Sequence, residues 1–223
     1  MKGRIFDVFD SVQGEGLFLG EKQIFVRLYG CNLSCRYCDT PLDRFREYEP
    51  EELVDEIKLY QDDFHSISFT GGEPLLQKDF LREVLKMTSG YGYRNYLETN
   101  GTLAGELQDV IDYVDILSID LKLPSSTGMG LLWGLHRRFL KVAARKENFI
   151  KAVVCSATIE EDLRYAAELI RDVSPSSILV LQPNSFDYNE HLQVMLGKFR
   201  EICAEAKITA CIIPQMHKLI GVK

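Results

Sequence analysis

The amino-acid sequence predicts an α/β protein built as a partial, open parallel β/α barrel of about six strands. Apolar β-type segments alternate with helical patterns along most of the 223 residues. The first two strands have no helix between them, and the chain is shorter than the ~250 residues of a full eight-stranded barrel. No repeat or low-complexity linker interrupts the pattern. We therefore expect a single domain over residues 1–223.

The elements follow one another as strand–helix units after an N-terminal pair of strands. The predicted strands cover residues 4–9, 24–29, 66–69, 93–97, 114–121, 149–154, 178–181 and 208–213. The predicted helices cover residues 50–60, 78–88, 106–112, 131–146, 160–172 and 189–206. Pro50 suits the first turn of a helix, and the acids that follow it match the helix dipole. Helical crossovers between parallel strands place the chemistry at the carboxyl ends of the strands.

Composition argues against several classes of function. The formal net charge of −7 does not fit a general nucleic-acid surface, which needs clustered positive charge. The first twenty residues carry acids and lack an apolar stretch, and no segment is apolar enough to span a membrane, so we expect a cytoplasmic protein. A basic segment at residues 136–151, which includes His136 and Lys151, is either a solvated helix face or a docking site for an acidic redox partner.

Three of the six cysteines lie close together, directly after the strand at residues 24–29. Cys31, Cys35 and Cys38 have the spacing C-x3-C-x2-C, and three thiolates on one loop can hold an iron–sulfur cube with one iron left open. Zinc usually needs paired C-x2-C units or nearby histidines, and inert core cysteines would not have polar residues between them. We favour a cluster over zinc, and zinc over an inert core. The remaining cysteines are expected in the core: Cys155, Cys203 and Cys211.

Polar residues recur where later strands end. Residues 70–74 read Thr-Gly-Gly-Glu-Pro, in which the glycines allow close approach of a ligand and the carboxylate can hold an ammonium group. Residues 98–102 read Glu-Thr-Asn-Gly-Thr, and Asp120, Lys122 and Gln182 lie at the ends of further strands. Each feature alone is compatible with a tight turn or a surface position. Their recurrence at successive strand ends favours one shared site.

The three-cysteine loop after a strand resembles the radical S-adenosylmethionine (SAM) superfamily. The resemblance implies that the open iron of a [4Fe–4S] cluster binds SAM, and that one electron then cleaves the sulfonium to give a 5′-deoxyadenosyl radical. Asp120 departs from the family pattern, because several members have Ser-Pro-Lys where residues 118–122 read Ser-Ile-Asp-Leu-Lys. The implied SAM contacts are Tyr37, Cys38, Asp39, Gly71, Gly72, Glu73, Glu98, Asn100, Asp120, Lys122 and Gln182.

Three further segments, at residues 9–16, 25–40 and 214–218, resemble the 7-carboxy-7-deazaguanine synthases. The resemblance implies conversion of 6-carboxy-5,6,7,8-tetrahydropterin to 7-carboxy-7-deazaguanine with loss of ammonia, in 7-deazapurine (queuosine) biosynthesis. It implies that Thr40 binds Mg²⁺, that an electron donor such as flavodoxin reduces the cluster, and that the protein is a homodimer. The implied substrate contacts are Val12, Gln13, Gly14, Glu15, Arg27, Thr70 and His217.

Alternatives remain open at the level of the sequence. Arg27 lies within an apolar strand, so its charge needs a partner, which is either a substrate carboxylate or an internal acid such as Glu15. Residues 12–16 either contact the edge of a pterin or form an ordinary glycine loop. The nearest rival function is a radical SAM activase that places a glycyl radical on a partner protein. Rivals of another class are a non-catalytic iron–sulfur electron carrier and a zinc-binding module.

Overall fold

The computed structural model describes residues 1–40, 43–60 and 63–216, together with Lys218 and Gly221. These residues form strands β1–β9, which are Gly3–Val12, Lys22–Leu28, Arg46–Tyr48, Ser66–Gly71, Asn95–Thr99, Ile116–Asp120, Glu147–Val154, Leu179–Pro183 and Ala210–Ile212. They also form helices α1–α7, which are Pro50–Ile57, Lys78–Gly90, Ala104–Val110, Pro124–Thr127, Trp133–Ala143, Glu160–Val173 and Glu190–Glu205. Short 3-10 helices cover Gly16–Phe18, Pro74–Gln77 and Ile111–Tyr113.

The strands of the described residues form one sheet in the order β3-β1-β2-β4-β5-β6-β7-β8-β9. β1 pairs antiparallel with β2 and β3. All other neighbours are parallel, which gives seven parallel strands (β2 and β4–β9) where the sequence predicts about six. The predicted open, mostly parallel sheet is confirmed. Neither β3 nor α4 is predicted, because elements of three or four residues carry no recognisable period.

The helices pack on one face of the sheet and enclose the main hydrophobic core. Strand residues such as Leu97, Leu117 and Ile150 belong to this core together with apolar residues of the helices. Local sequence signals fix the helix ends: Pro50 occupies the first turn of α1, and the side chains of Glu49 and Glu52 form a capping box there. Among the described residues, no helix is long and apolar enough to cross a membrane.

The other face of the sheet is apolar at one end and polar at the other. Tyr96, Ile116, Phe149 and Val180 form a second, smaller cluster, against which Phe18 packs. Successive side chains of a strand point to opposite faces, so residues two positions further along share the face of this cluster. Those residues are polar: Ser118, Glu98, Lys151 and Gln182. The pleat therefore stacks a row of polar side chains above an apolar floor, at the carboxyl ends of the parallel strands.

Candidate active site

The polar end of this face opens into a cavity of about 430 Å³. Its walls come from the N-terminal loop (residues 12–15), the cluster loop (residues 29–40), the glycine turn (residues 71–74) and the ends of β5 to β8. Every residue predicted for the cluster, SAM, magnesium or substrate lines this cavity, apart from Glu73 and His217. His217 lies outside the described residues. The fold thus brings together in one cavity the other predicted residues, from Val12 to Gln182.

All three side chains of the cysteine motif line the cavity, and no other cysteine among the described residues does so. Cys155, the next along the chain, is buried, and its thiol points to the Ser126 carbonyl oxygen at 3.9 Å. Cys203 is buried as predicted, whereas Cys211 is only half-buried. The donor set fits a [4Fe–4S] cluster with one iron free of protein ligands, because a complete set would need a fourth thiolate.

The thiols are not gathered around a common point: within the described ranges, no three His, Cys, Asp or Glu side chains form a ready-made metal site. Burial raises the pKa of the Cys31 and Cys35 thiols, although the nearby Lys122 ammonium acts in the opposite direction. Both groups therefore carry their protons at neutral pH in the metal-free chain. Ligation of iron would release those protons and draw the loop together.

A ring of hydrogen bonds ties the cluster loop to the loop after β5. The Asn100 side-chain amide donates to Asn32 Oδ1 at 2.8 Å, and the Asn32 amide donates to Thr102 Oγ1 at 3.0 Å. Thr102 Oγ1 closes the ring by donating to Asn100 Oδ1 at 2.6 Å. On its other side, the cluster loop is held by the Arg36 amide, which donates to the Thr127 carbonyl at 2.9 Å. The loop is therefore positioned from two directions.

The glycine turn brings the end of β4 against the start of the cluster loop. Gly71 has a φ of +122°, and a Cβ at this position would lie 2.3 Å from the Leu28 carbonyl oxygen. The amide of Gly72 donates to the same Leu28 carbonyl at 3.1 Å, and the amide of Glu73 donates to the Gly30 carbonyl at 2.8 Å. Only glycine fits position 71, for reasons of both conformation and space.

Glu73 lies behind the cavity wall rather than in it. Its side chain is fully buried, and the carboxylate accepts hydrogen bonds from the Asn100 amide (2.7 Å), the Leu75 amide (3.0 Å) and Thr99 Oγ1 (3.0 Å). Burial raises the Glu73 pKa to about 7, although these donors act in the opposite direction. In the structure Glu73 joins the ends of β4 and β5, so its contact with a SAM ammonium group stays a prediction.

The cavity wall carries an ion pair beside Tyr37 and two buried acceptor atoms that have no hydrogen-bond partner among the described residues. Lys122 forms an ion pair with Asp120 Oδ2 at 2.7 Å and lies near the Tyr37 hydroxyl at 3.4 Å. Burial lowers the Lys122 pKa, but the Asp120 carboxylate and the Tyr37 hydroxyl outweigh it and hold that pKa well above its ordinary value. Asp120 Oδ1 and Gln182 Oε1 are buried without a hydrogen-bond partner among the described residues. Buried acceptors of this kind indicate a ligand that donates hydrogen bonds.

Arg27 lies on the polar face of β2, with its guanidinium carbon 5.0 Å from the centre of the Phe9 ring. Phe9 in turn stacks on Phe25 at a centroid distance of 5.2 Å. Arg27 forms no ion pair with any described residue, and Glu15, the internal partner considered from the sequence, pairs with Lys151 instead. The guanidinium is therefore held against an aromatic pair with its donors available to an anion.

Glu98 groups with the predicted substrate residues rather than with Asn100. Thr70 Oγ1 donates to Glu98 Oε2 at 2.8 Å, and the Gln13 side-chain amide lies 3.4 Å from Glu98 Oε1. Glu98 is still inside β5, whereas Asn100 lies beyond the strand end, so the two side chains reach different parts of the cavity. Glu98 is therefore a hydrogen-bond partner of predicted substrate residues, and its contact with SAM stays a prediction.

Gln13 is held by the protein on every side. Its side-chain amide donates to Gln23 Oε1 at 2.9 Å, its Oε1 accepts from the Glu15 amide at 3.1 Å, and Gln23 in turn donates to Ser66 Oγ at 2.9 Å. The Gln13 backbone amide donates to the Glu21 carbonyl at 2.8 Å. The N-terminal loop is therefore held in place by hydrogen bonds within the protein. A direct contact between Gln13 and the substrate stays a prediction.

A second charged pair joins the N-terminal loop to the centre of the sheet. Glu15 pairs with Lys151, whose side chain is 8% exposed. Burial lowers the Lys151 pKa, but Glu15, Glu98 and Asp120 outweigh it and hold that pKa above its ordinary value. The basic segment at residues 136–151 is therefore not one solvated face: both Lys151 and His136 point inward, because one is in a central strand and the other on the inner side of α5.

The C-terminal tail, of which the structure describes residues 213–216, 218 and 221, reaches the cavity through Gln215 and Lys218. The Gln215 side-chain amide donates to Glu15 Oε1 at 2.8 Å, and the Met216 amide donates to the Gly14 carbonyl at 2.9 Å. Lys218 pairs with Asp39 on the cluster loop. The tail therefore connects the N-terminal loop with the cluster loop and closes one side of the cavity.

Sequence reasoning missed Gln23 and Lys151 as site residues. Both follow the period of two that the strands impose: Gln23 shares a face with Arg27, and Lys151 shares a face with Val153, which also lines the cavity. A polar residue on the same face of several buried strands was the available signal. The contact of Gln215 with Glu15 spans 200 positions, and no local pattern predicts it.

Comparisons with known proteins agree with this geometry. Residues 25–184 match the family model of the Radical SAM superfamily. The 7-carboxy-7-deazaguanine synthase of Geobacter sulfurreducens is 35% identical over 240 residues, covering 96% of each chain. That of Methanothermobacter thermautotrophicus is 34% identical over 249 residues, covering 100% of this chain and 99% of the relative. The crystal structure of QueE from Escherichia coli has a TM-score of 0.68 at 21% identity, covering 95% of this chain and 94% of that one, and supports the fold.

The sheet, the three-thiol loop and the family match together define a radical SAM enzyme, with a [4Fe–4S] cluster and SAM as the cofactors of its class. Within that superfamily, the chain belongs to the family of the 7-carboxy-7-deazaguanine synthases.

Proposed function

We propose that this protein converts 6-carboxy-5,6,7,8-tetrahydropterin to 7-carboxy-7-deazaguanine in 7-deazapurine biosynthesis, including that of queuosine. The reaction removes hydrogen from C6 of the pterin, contracts the ring and releases ammonia, and SAM is regenerated. The observation that carries the proposal is the cavity itself, in which a three-thiol loop faces an arginine without an acidic partner among the described residues. Both relatives named above are 7-carboxy-7-deazaguanine synthases, and each matches nearly the whole length of this chain.

The cofactors would occupy the side of the cavity formed by the cluster loop and the ends of β5, β6 and β8. Cys31, Cys35 and Cys38 would hold the cluster. When bound, the cluster and SAM supply a one-electron cleavage that yields a 5′-deoxyadenosyl radical. Asp120 Oδ1 and Gln182 Oε1 would accept hydrogen bonds from SAM, which would give these buried acceptors the partners that they lack within the described ranges.

The substrate would occupy the side formed by the N-terminal loop, β2 and the Glu98 carboxylate. Arg27 would bind the substrate carboxylate through paired hydrogen bonds, since a guanidinium matches a carboxylate in shape and charge. Glu98, held by Thr70 at 2.8 Å, would accept hydrogen bonds from the amino groups of the pterin. The tail residue Gln215, which donates to Glu15 at 2.8 Å, would help exclude water from this end.

The proposal is tested by incubating the anaerobically reconstituted and reduced protein with SAM and the carboxypterin, and by analysing the products by mass spectrometry. We expect 7-carboxy-7-deazaguanine in amounts that exceed the enzyme many times over, without matching consumption of SAM. A Cys38→Ser variant is the control, because it removes one cluster ligand and should form no product. Deoxyadenosine without the ring-contracted product would favour the rival activase, and zinc without iron would exclude both radical enzymes.

We also propose that Thr40 supplies an oxygen ligand to Mg²⁺ beside the substrate. Thr40 lies two positions after Cys38, the third cysteine of the motif, and lines the cavity. Mg²⁺ prefers oxygen ligands and retains several waters. Thr40→Ala should weaken the dependence of turnover on Mg²⁺, whereas Thr40→Ser should keep it. A Thr40→Ala enzyme that responds to Mg²⁺ as the parent does would remove this assignment.

We further propose a homodimer that works in the cytoplasm and accepts electrons from a flavodoxin. Arg138 and Lys141 are exposed on α5 and provide positive charge for an acidic donor. Charge reversal at both positions should slow reduction of the cluster by flavodoxin but not by dithionite.

Light scattering tests the proposed homodimer. A monomeric mass at working concentration would contradict it.

A further inference from the structure

His136 is a buried histidine on the inner side of α5 that touches two loops of the active site. Its side chain is only 1% exposed. Nδ1 lies 3.1 Å from the Gly101 carbonyl oxygen, and the Lys122 backbone amide donates to Nε2 at 3.2 Å. Gly101 follows β5 and Lys122 follows β6, so one imidazole bridges the ends of two neighbouring parallel strands.

These two contacts determine the protonation state of the ring. A carbonyl oxygen only accepts a hydrogen bond, so Nδ1 must carry the proton, and a backbone amide only donates, so Nε2 must be bare. Burial lowers the His136 pKa to about 4, and the ring is therefore neutral at physiological pH. Both ring nitrogens are used, and neither is available for proton transfer to a ligand.

Both bridged loops hold the cluster loop. The loop after β5 carries Asn100, whose amide donates to Asn32 at 2.8 Å. Lys122 reaches the Tyr37 hydroxyl at 3.4 Å and pairs with Asp120. The imidazole therefore sets the distance between two groups of predicted SAM contacts that grip the same loop.

Close packing at Gly101 shows how tightly this distance is fixed. Gly101 has a φ of +68°, and a Cβ at this position would lie 3.1 Å from His136 Nδ1 and 3.0 Å from the Ile119 side chain. A side chain at this position would press on the ring, so glycine allows the loop and the imidazole to lie this close together. Loss of the imidazole would leave a gap and would deprive the Gly101 carbonyl and the Lys122 amide of this partner.

We propose that His136 is a positioning residue that holds the ends of β5 and β6 in the geometry that binds SAM. The inference rests on the proposed function, and it adds a residue from outside the cavity wall to the cofactor site. His136 contacts neither the cavity nor the cysteines; it acts through Gly101 and Lys122.

Three variants of His136 separate its two hydrogen bonds. His136→Asn keeps a donor near the place of Nδ1, His136→Gln keeps an acceptor near the place of Nε2, and His136→Leu keeps neither. Equilibrium dialysis of SAM with the reconstituted protein should show a dissociation constant raised about tenfold for the Leu variant, because the two strand ends lose the partner that holds them together. The Asn and Gln variants should each recover part of this loss. The Michaelis constant for SAM should rise in parallel, while turnover at saturating SAM stays close to the parent.

Phe139→Leu on the same helix is the matched control, because Phe139 is fully buried in the main core. It should lower the melting temperature of the metal-free chain without changing the affinity for SAM. The electron paramagnetic resonance spectrum of the reduced cluster provides a second readout, since the change that SAM causes should need more SAM in the Leu variant. If all three His136 variants bind SAM as the parent does, the positioning role is wrong. If the parent itself neither binds nor cleaves SAM, the proposed function fails instead.

Discussion

At the scale of single residues, the cavity is defined by how its charges are paired. The described residues place four cationic side chains on its wall, and three of these form ion pairs with acids of the same wall. These pairs are Lys122 with Asp120, Lys151 with Glu15, and Lys218 with Asp39. Arg27 is the fourth, and it has no ion pair within the part of the chain that the structure describes. The guanidinium of Arg27 is therefore available to an anionic ligand.

Replacement of Arg27 tests that reading directly. Arg27→Ala should raise the Michaelis constant for the carboxypterin or lower turnover, with kcat/KM reduced about 100-fold, because a charge-assisted hydrogen-bonded pair is worth roughly 3 kcal/mol. The iron content and the affinity for SAM should not change. Arg4→Ala is the matched control, since Arg4 lies over the Tyr29 ring outside the cavity. Equal activity of the Arg27→Ala enzyme and the parent would remove the carboxylate assignment.

Lys151 should matter for stability as well as for the site. Lys151→Met removes the cation that pairs with the half-buried Glu15, which should lower the free energy of unfolding by roughly 3 kcal/mol. The double variant with Glu15→Gln should recover a large part of that loss. Urea unfolding of the metal-free chain measures both. Arg164→Met provides the comparison, because its partner Glu205 is 66% exposed and such pairs contribute less than about 1 kcal/mol.

At the scale of elements, a strand pattern of period two builds the site. In β2, Gln23, Phe25 and Arg27 face the cavity side, while the residues between them are buried toward the helices. The same alternation places Glu98 and Lys151 on that side in β5 and β7. A shift of one residue in the register of a strand would move these polar groups into the main core. The parallel ladder therefore fixes the positions of the functional side chains.

The glycine turn after β4 offers a prediction at this scale. Gly71→Ala would place a Cβ 2.3 Å from the Leu28 carbonyl oxygen in a backbone conformation that favours glycine, so β4 and the cluster loop must separate. Iron and sulfide bound per chain after anaerobic reconstitution should fall well below the parent value. Gly90→Ala is the matched control, because Gly90 ends α2 with open space around it. A full complement of iron in the Gly71→Ala protein would contradict this role.

At the scale of the whole molecule, one sheet collects residues that are far apart along the chain. The order of the strands runs without a break from β4 to β9, so each strand end lies beside the next one. The N-terminal hairpin of β1 and β2 adds its loop to the cavity, and the tail connects that loop with the cluster loop through Gln215 and Lys218. The cavity is therefore complete only when all of these strand ends are in place.

The pH dependence of global stability follows from Glu73, which joins two strand ends inside the fold. Burial raises its pKa from 4.5 to about 7, so the folded chain keeps a proton that the unfolded chain has already lost between these values. The unfolded state then binds fewer protons, and stability must fall as the pH rises through this window. The contribution, roughly 3 kcal/mol, is fully present below pH 4.5.

Urea unfolding of the metal-free chain at a series of pH values measures this loss. The free energy of unfolding of the parent should decrease between pH 4.5 and about 7 relative to that of Glu73→Gln, whose side chain does not titrate. Parallel curves for the two proteins would show that Glu73 is ionised throughout the window.

Two features could be predicted from the sequence: the architecture and the loop that carries three ligands for a metal cluster. Alternation of strands and helices specified a parallel open sheet, since that is the arrangement in which each element buries its apolar face. The spacing of Cys31, Cys35 and Cys38 specified three ligands on one loop, because residues so close in sequence cannot lie far apart. The shared site of the polar residues at the strand ends could be predicted because the carboxyl ends of parallel strands lie on the same side of a sheet.

The pairing of the polar groups became visible only in the folded chain. Glu15 pairs with Lys151, and Glu98 accepts a hydrogen bond from Thr70. His136, which the sequence placed on a surface segment, is buried and bridges two loops. These contacts join positions far apart along the chain, and their energies depend on burial and on which acceptors remain unsatisfied. Local sequence carries neither quantity, because both arise only when distant segments exclude water from the same cavity.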